Sequence, residues 1–163
     1  MGKKAASNIF KSAGPADTAR LAGAFACSLA GGEVLLLEGP IGAGKTFFTR
    51  ELARAFGAKS LPVSASFNLM RSYGGRLKLV HFDLFRAAEA DLANLGLEEY
   101  LGRPGGVAAV EWPGAAASVT GAYETIRLEF SLAGGDRRSV KAAADGPAAE
   151  RALEKVIKAW RKN

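Results

Sequence analysis

The sequence predicts an α/β fold in which a mixed, mostly parallel central sheet is flanked by helices and continues into antiparallel strands near the C-terminus. Three observations predict it. The segment EVLLLEG, residues 33–39, is a compact apolar run closed by glycine, as expected of a strand buried on both faces of a parallel sheet. A glycine-rich turn follows, and behind it Phe48, Leu52, Ala55 and Phe56 recur at helical spacing from Lys45 to Phe56, with Gly57 as a stop. Toward the C-terminus AYETIRLEFS and RRSVKAAA alternate and are joined through AGGD, the pattern of two paired strands. A strand, turn and helix in that order, next to a hairpin, require a mixed sheet with helices on its faces.

The remaining elements fall into place around these. A short strand is expected at Asn8 to Lys11. The segment GPADTARLAGAFACSLA then spaces Leu21, Phe25, Ser28 and Leu29 as one helical face, with Pro15 and Asp17 near its start and Gly31-Gly32 at its end. Cys27 in this helix is expected to be a small buried residue, since nothing basic nearby in sequence would activate its thiolate. RLKLVHFDLF alternates as a strand, AAEADLANLGLEEYL reads as one helical stretch, and GGVAAVEW is a second buried-strand candidate. Pro147 to Trp160 forms a last helix whose polar face is basic.

At 163 residues a single domain spanning 1–163 is expected, large enough to bury roughly two-thirds of its unfolded surface. The net charge of +6 sits at the ends: residues 1–13 carry three lysines and no acid, and 147–163 carry five basic residues against two acidic ones. The body between them is neutral. A pI near 9.7 therefore does not by itself indicate a nucleic-acid binder, which gathers its charge on one face or groove. Residues 1–7 are expected to be a disordered tail. One cysteine, Cys27, excludes an internal disulfide, and with His81 as the lone histidine no Cys/His zinc site can be built, so any metal is held by oxygen. The N-terminal lysines precede no apolar stretch of the secretory type, and no run is long enough to span a bilayer, so a cytoplasmic protein with no membrane contact is expected.

The most informative stretch is Gly39-Pro40-Ile41-Gly42-Ala43-Gly44-Lys45-Thr46, two glycines five apart followed by Lys and Thr, between a strand and a helix. This is the P-loop pattern. Backbone N–H groups wrap a phosphate chain only where side chains do not obstruct, which is the job of Gly39, Gly42 and Gly44. The N–H groups of Gly42 to Thr46 are expected to point inward, with the loop residues Ile41 and Ala43 and the next residue Phe47 counted in the same site. The helix dipole adds its positive end, Lys45 reaches the β- and γ-phosphates, and the Thr46 hydroxyl is placed for Mg²⁺. The fold expectation sharpens to a P-loop NTPase. Two carboxylates end apolar strands: Glu111 after Val107-Ala108-Ala109-Val110, and Asp83 after Leu79-Val80-His81-Phe82. One is placed to hold the metal and the other to orient or deprotonate water, and spacing alone does not assign the two roles.

Five blocks in order, LLLEGPIGAGKTFFTRELARAFG, VSASFNLMRSY, HFDLFR, LGLEEYL and GVAAVEWP, resemble the TsaE family, formerly YjeE. The resemblance implies an ATPase that binds ATP and Mg²⁺, is slow alone, and acts with TsaD and TsaB in installing threonylcarbamoyladenosine (t6A) at position 37 of tRNA. It further implies that hydrolysis resets the complex without transferring the acyl group, and that tRNA is met through the complex. By position it makes Lys45 and Thr46 the phosphate and Mg²⁺ residues, Glu111 the metal-side carboxylate and Asp83 the water-orienting group, with Trp112 beside the nucleotide. Ser64-Ala65-Ser66-Phe67 stands where the family has Ser-Pro-Thr-Phe. Ser66 keeps a hydroxyl for the γ-phosphate or its water, while Ala65 loses proline's fixed φ.

Simpler roles are weighed beside these. His81 in an alternating strand is expected to be a hydrogen-bonded structural residue. The rings of Phe47, Phe48 and Phe56 are expected in the core. Arg50, Arg71 and Arg86 lie near the motifs; an arginine in cis can stabilise a transferring phosphoryl group, and Arg86 is the first choice. Arg151, Lys155, Lys158 and Lys162 share one helix face, solvated or set against tRNA or an acidic partner. The competing functions are a nucleotide-dependent interaction module that does not need hydrolysis, and a small-molecule kinase, disfavoured because no arginine-rich lid is present.

Overall fold

The structure, a computed structural model, describes residues 6–60 and 69–162. Ser64 to Phe67, including Ser66, and the start of the N-terminal tail lie outside the described residues. One seven-stranded sheet organises the chain. Its strands are β1 (Ser7–Ser12), β2 (Val34–Glu38), β3 (Met70–Tyr73), β4 (Lys78–Asp83), β5 (Gly106–Glu111), β6 (Thr125–Leu132) and β7 (Arg138–Asp145), in the order β1-β7-β6-β2-β5-β4-β3. The central pairings β6·β2, β2·β5 and β5·β4 are parallel, whereas β1·β7, β7·β6 and β3·β4 are antiparallel. The expected mixed sheet with a C-terminal antiparallel extension is therefore present.

Period-two alternation explains the layers. Leu35 and Leu37 of β2 join one core with Val107 and Ala109 of β5, and Val34 and Leu36 join another with Ala108 and Val110. Over the first face pack α1 (Pro15–Ser28), α2 (Lys45–Ala55) and α5 (Pro147–Lys162); over the second lie α3 (Glu89–Leu95), the 3₁₀ turns Leu97–Glu99 and Pro113–Ala116, and the short α4 (Ala117–Thr120). Phe25 meets Phe48 edge-on at 5.4 Å between ring centres, and Phe48 meets Phe130 at 5.7 Å, so α1, α2 and β6 share one aromatic contact chain.

Three expectations are corrected. The stretch 87–101 is two short pieces and not one helix, because Gly96 takes a left-handed conformation at φ 59° and ends α3. Cys27 is exposed, since it falls on the face of α1 opposite Leu21, Phe25 and Leu29. The ring of Phe47 is exposed as well, one residue round the helix from the fully buried Phe48. The last helix, α5, packs its apolar side inward: Ala149, Ala152, Leu153 and Val156 are buried, and Trp160 packs edge-on against Phe10 with Arg20 stacked 3.4 Å over its ring. Among the described residues no helix is long and apolar enough to cross a membrane.

Candidate functional site

β2 ends at Glu38, the chain turns through residues 39–44, and α2 starts at Lys45. Gly44, the residue before that helix, sits at φ 102° and provides no side-chain cap, so the first N–H groups of α2 are left for a ligand. Gly39, at φ 132°, lies so close to the neighbouring strand that a Cβ there would be 2.3 Å from the Phe130 carbonyl oxygen. Over Gly42 and Gly44, by contrast, an added Cβ would meet nothing within 4 Å. The loop is thus pressed onto β6 on one side and open on the other. That open side faces a cleft of about 610 Å³ lined by both glycines, Lys45, Thr46, Asp83, Glu111 and Trp112.

Lys45 is buried, and its ammonium donates to the carbonyls of Gly39 at 2.6 Å and Pro40 at 2.9 Å while lying 4.4 Å over the Trp112 ring. Burial lowers its pKa below the usual lysine value, and the nearby carboxylates of Glu111 and Asp83 oppose that shift. The two carboxylates are neighbours because β4 and β5 are parallel and in register, Asp83 opposite Glu111 and His81 opposite Ala109. Alternation puts His81, Asp83 and Glu111 on the sheet face that carries α2. Glu111 Oε1 accepts from Thr46 Oγ1 at 2.9 Å and lies 2.9 Å from His81 Nε2. Asp83 Oδ1 accepts from the Phe85 N–H at 3.2 Å.

Trp112 is the one non-glycine residue with positive φ among those described, at φ 56°. This uncommon backbone turns the indole over Lys45 and against Phe85, 4.8 Å between ring centres.

The sequence-derived candidates converge unevenly. Ile41, Gly42, Gly44, Lys45, Thr46, Phe47, Asp83, Glu111 and Trp112 all line the cleft. Gly39 contributes its carbonyl to Lys45. Ala43 departs from expectation: it is fully buried in the core and its N–H donates to Pro40 at 3.1 Å, so it braces the loop from behind. Arg71 and Arg86 line the cleft, and Arg50 is an exposed residue outside that lining. Arg138 escaped the sequence reading. From the start of β7 its Nη2 donates to the Gly42 carbonyl at 3.2 Å, and its Nη1 to the turn carbonyls of Gly135 and Arg137, so it ties the β6–β7 hairpin to the loop. No local signal marks an arginine 96 residues away from its partner.

Among the described residues no three His, Cys, Asp or Glu side chains converge as a metal cluster. A threonine hydroxyl with two carboxylates beside an open phosphate cradle instead suits Mg²⁺, which keeps waters and takes phosphate oxygens from its ligand. The donor set fits a Mg²⁺-nucleotide.

Comparison with known proteins supplies the family. The sequence model of "Threonylcarbamoyl adenosine biosynthesis protein TsaE" matches residues 12–140. The chain belongs to the TsaE family. Among its relatives, the tRNA threonylcarbamoyladenosine biosynthesis protein TsaE of Bacillus subtilis is 32% identical over 148 residues, covering 90% of this chain and 92% of the relative. The TsaE protein of Treponema pallidum is 37% identical over 123 residues, covering 74% and 90%. A crystal structure of Bacillus subtilis YdiB superimposes with a TM-score of 0.78 at 28% identity, covering 99% of this chain and all of that one. The fold is that of a P-loop NTPase, and this neighbour shares it over 99% of the chain.

Proposed function

We propose that the chain binds ATP with Mg²⁺ in this cleft and hydrolyses it, as the partner-dependent ATPase of t6A formation on tRNA. The observation that carries the reading is the juxtaposition of Asp83 and Glu111 at the ends of adjacent parallel strands, facing Thr46 and Lys45 of the phosphate loop.

In this reading the N–H groups at the start of α2 and the open side of Gly42 and Gly44 hold the phosphates. Lys45 exchanges the carbonyls of Gly39 and Pro40 for phosphate oxygens. Thr46 and Glu111 hold the Mg²⁺, which supplies charge neutralisation at the phosphates. Asp83 orients a water through Oδ2 and takes its proton. The water oxygen bonds to the γ-phosphorus, and the bridging oxygen leaves with the electron pair as ADP. Trp112 and Phe85, in ring contact within the cleft lining, limit water entry.

Family membership makes TsaD and TsaB the proposed partners and t6A formation the proposed process, with hydrolysis resetting the complex and tRNA met through it. The test is ATP turnover by the purified chain alone, with small phosphate acceptors, and with TsaD, TsaB and tRNA. Stimulation by the partners is expected. Asp83→Asn is expected to keep nucleotide binding and lose turnover by about 10²-fold or more, the scale of a general base. Phosphate appearing on an acceptor would point to a kinase, and Asp83→Asn supporting many rounds of tRNA modification would make hydrolysis unnecessary.

A further inference from the structure

His81 is the single histidine of the chain and lies almost wholly buried on β4, two residues before Asp83 and on the same sheet face. It lies outside the lining of the cleft. Its Nε2 is 2.9 Å from Glu111 Oε1, the same oxygen that accepts from Thr46 Oγ1 at 2.9 Å. Glu111 is itself buried, with 2% of its surface exposed.

A buried carboxylate is costly unless donors surround it, and it turns toward whichever donors remain when one is removed. With Glu111 ionised, the bond requires the tautomer carrying hydrogen on Nε2, so His81 donates. Two donors from two different elements, β4 and α2, converge on one oxygen of a third, β5. That arrangement fixes the side-chain torsions of Glu111. Thr46 has one hydroxyl proton, and committing it to Glu111 turns the oxygen's lone pairs away from the sheet and into the cleft. A cation at the loop needs the lone pairs in that direction.

We propose that His81 is a positioning residue: by holding Glu111 it orients the Thr46 hydroxyl and thereby sets the magnesium affinity of the nucleotide site, touching neither metal nor nucleotide. The inference rests on the Mg²⁺-ATP reading above. A packing role for His81 would instead support the fold equally with and without metal.

The test is a titration with a fluorescent, slowly hydrolysed ATP analogue, in EDTA and in Mg²⁺, reading the gain in affinity that Mg²⁺ confers. His81→Leu is expected to cut that gain by about 10- to 100-fold, the range for outer-shell partners of metal ligands, with affinity in EDTA unchanged. His81→Gln, whose amide can donate from near the Nε2 position, is expected to keep the gain within a few-fold. His81→Asn, polar but too short to reach Glu111, is expected to behave as His81→Leu and serves if the leucine variant does not fold. In a Glu111→Ala background, His81→Asn is expected to cost nothing further. A full Mg²⁺ gain in His81→Asn would overturn the proposal, as would equal losses in EDTA and Mg²⁺ or an undiminished loss in the Glu111→Ala background. A wild-type protein that binds the analogue without any Mg²⁺ gain would overturn the Mg²⁺-ATP reading itself.

Discussion

Two glycines of the phosphate loop are expected to fail in opposite ways when replaced by alanine. At Gly44 the cost to the fold is conformational only: φ is 102° and an added Cβ meets nothing within 4 Å. Placing an L-residue there costs about 1–2 kcal/mol. At Gly39, φ is 132° and the Cβ would stand 2.3 Å from the Phe130 carbonyl oxygen, far inside van der Waals contact with backbone that cannot rotate away. The strand must shift, adding about 1–3 kcal/mol to the same backbone cost, for about 2–5 kcal/mol in all. At about 2–4 °C per kcal/mol for a chain of this size, Gly44→Ala is expected to lower Tm by about 2–8 °C and Gly39→Ala by about 4–20 °C. Nucleotide binding should rank the other way relative to stability. The Gly44 methyl would occupy the open cradle itself, so Gly44→Ala is expected to lose affinity for the ATP analogue while remaining folded. Thermal unfolding by circular dichroism and analogue titration on both variants decide it. Equal Tm values for the two, or wild-type affinity in Gly44→Ala, would refute the reasoning that one face of the loop is packed and the other open.

Three further outcomes follow from burial elsewhere in the chain. Because burial lowers the pKa of Lys45, the unfolded chain binds more protons than the native one between that lowered value and the usual 10.5, so this lysine makes stability rise with pH across that window. Urea unfolding in the absence of nucleotide should therefore show wild type gaining on Lys45→Met as pH increases toward 10, and a constant difference would contradict it. Leu153→Ala, at a fully buried position of α5, is expected to cost about 2–5 kcal/mol in urea unfolding, and deletion of 147–163 should unfold the chain, so a role for the basic face is tested by reversing the exposed Lys155 and Lys158.

The strand, loop and helix around the phosphate cradle were legible because their signals are local: an apolar run, glycines at fixed offsets, and a helical period. Asp83 and Glu111 were legible for the same reason, as polar residues ending apolar strands. Local pattern failed where an element exists through its neighbour. Met70–Tyr73 is four residues without a clean alternation and becomes β3 by pairing with the edge of β4. Cys27 and Phe47 were misplaced because composition does not say which helix face meets the sheet; each sits next to a buried residue and points the other way.

By itself, then, the sequence determined the α/β class, the phosphate loop and the residue types that serve it, since each depends on spacing along the chain. Tertiary structure alone decided that Asp83 lies beside Glu111, that His81 and Thr46 meet on one carboxylate oxygen, that Trp112 covers Lys45, and that Arg138 reaches Gly42. These contacts join residues 28, 30, 65, 67 and 96 positions apart. They are fixed by strand order and parallel register, and those are settled by burying both faces of the sheet at once, a condition no local window of sequence contains.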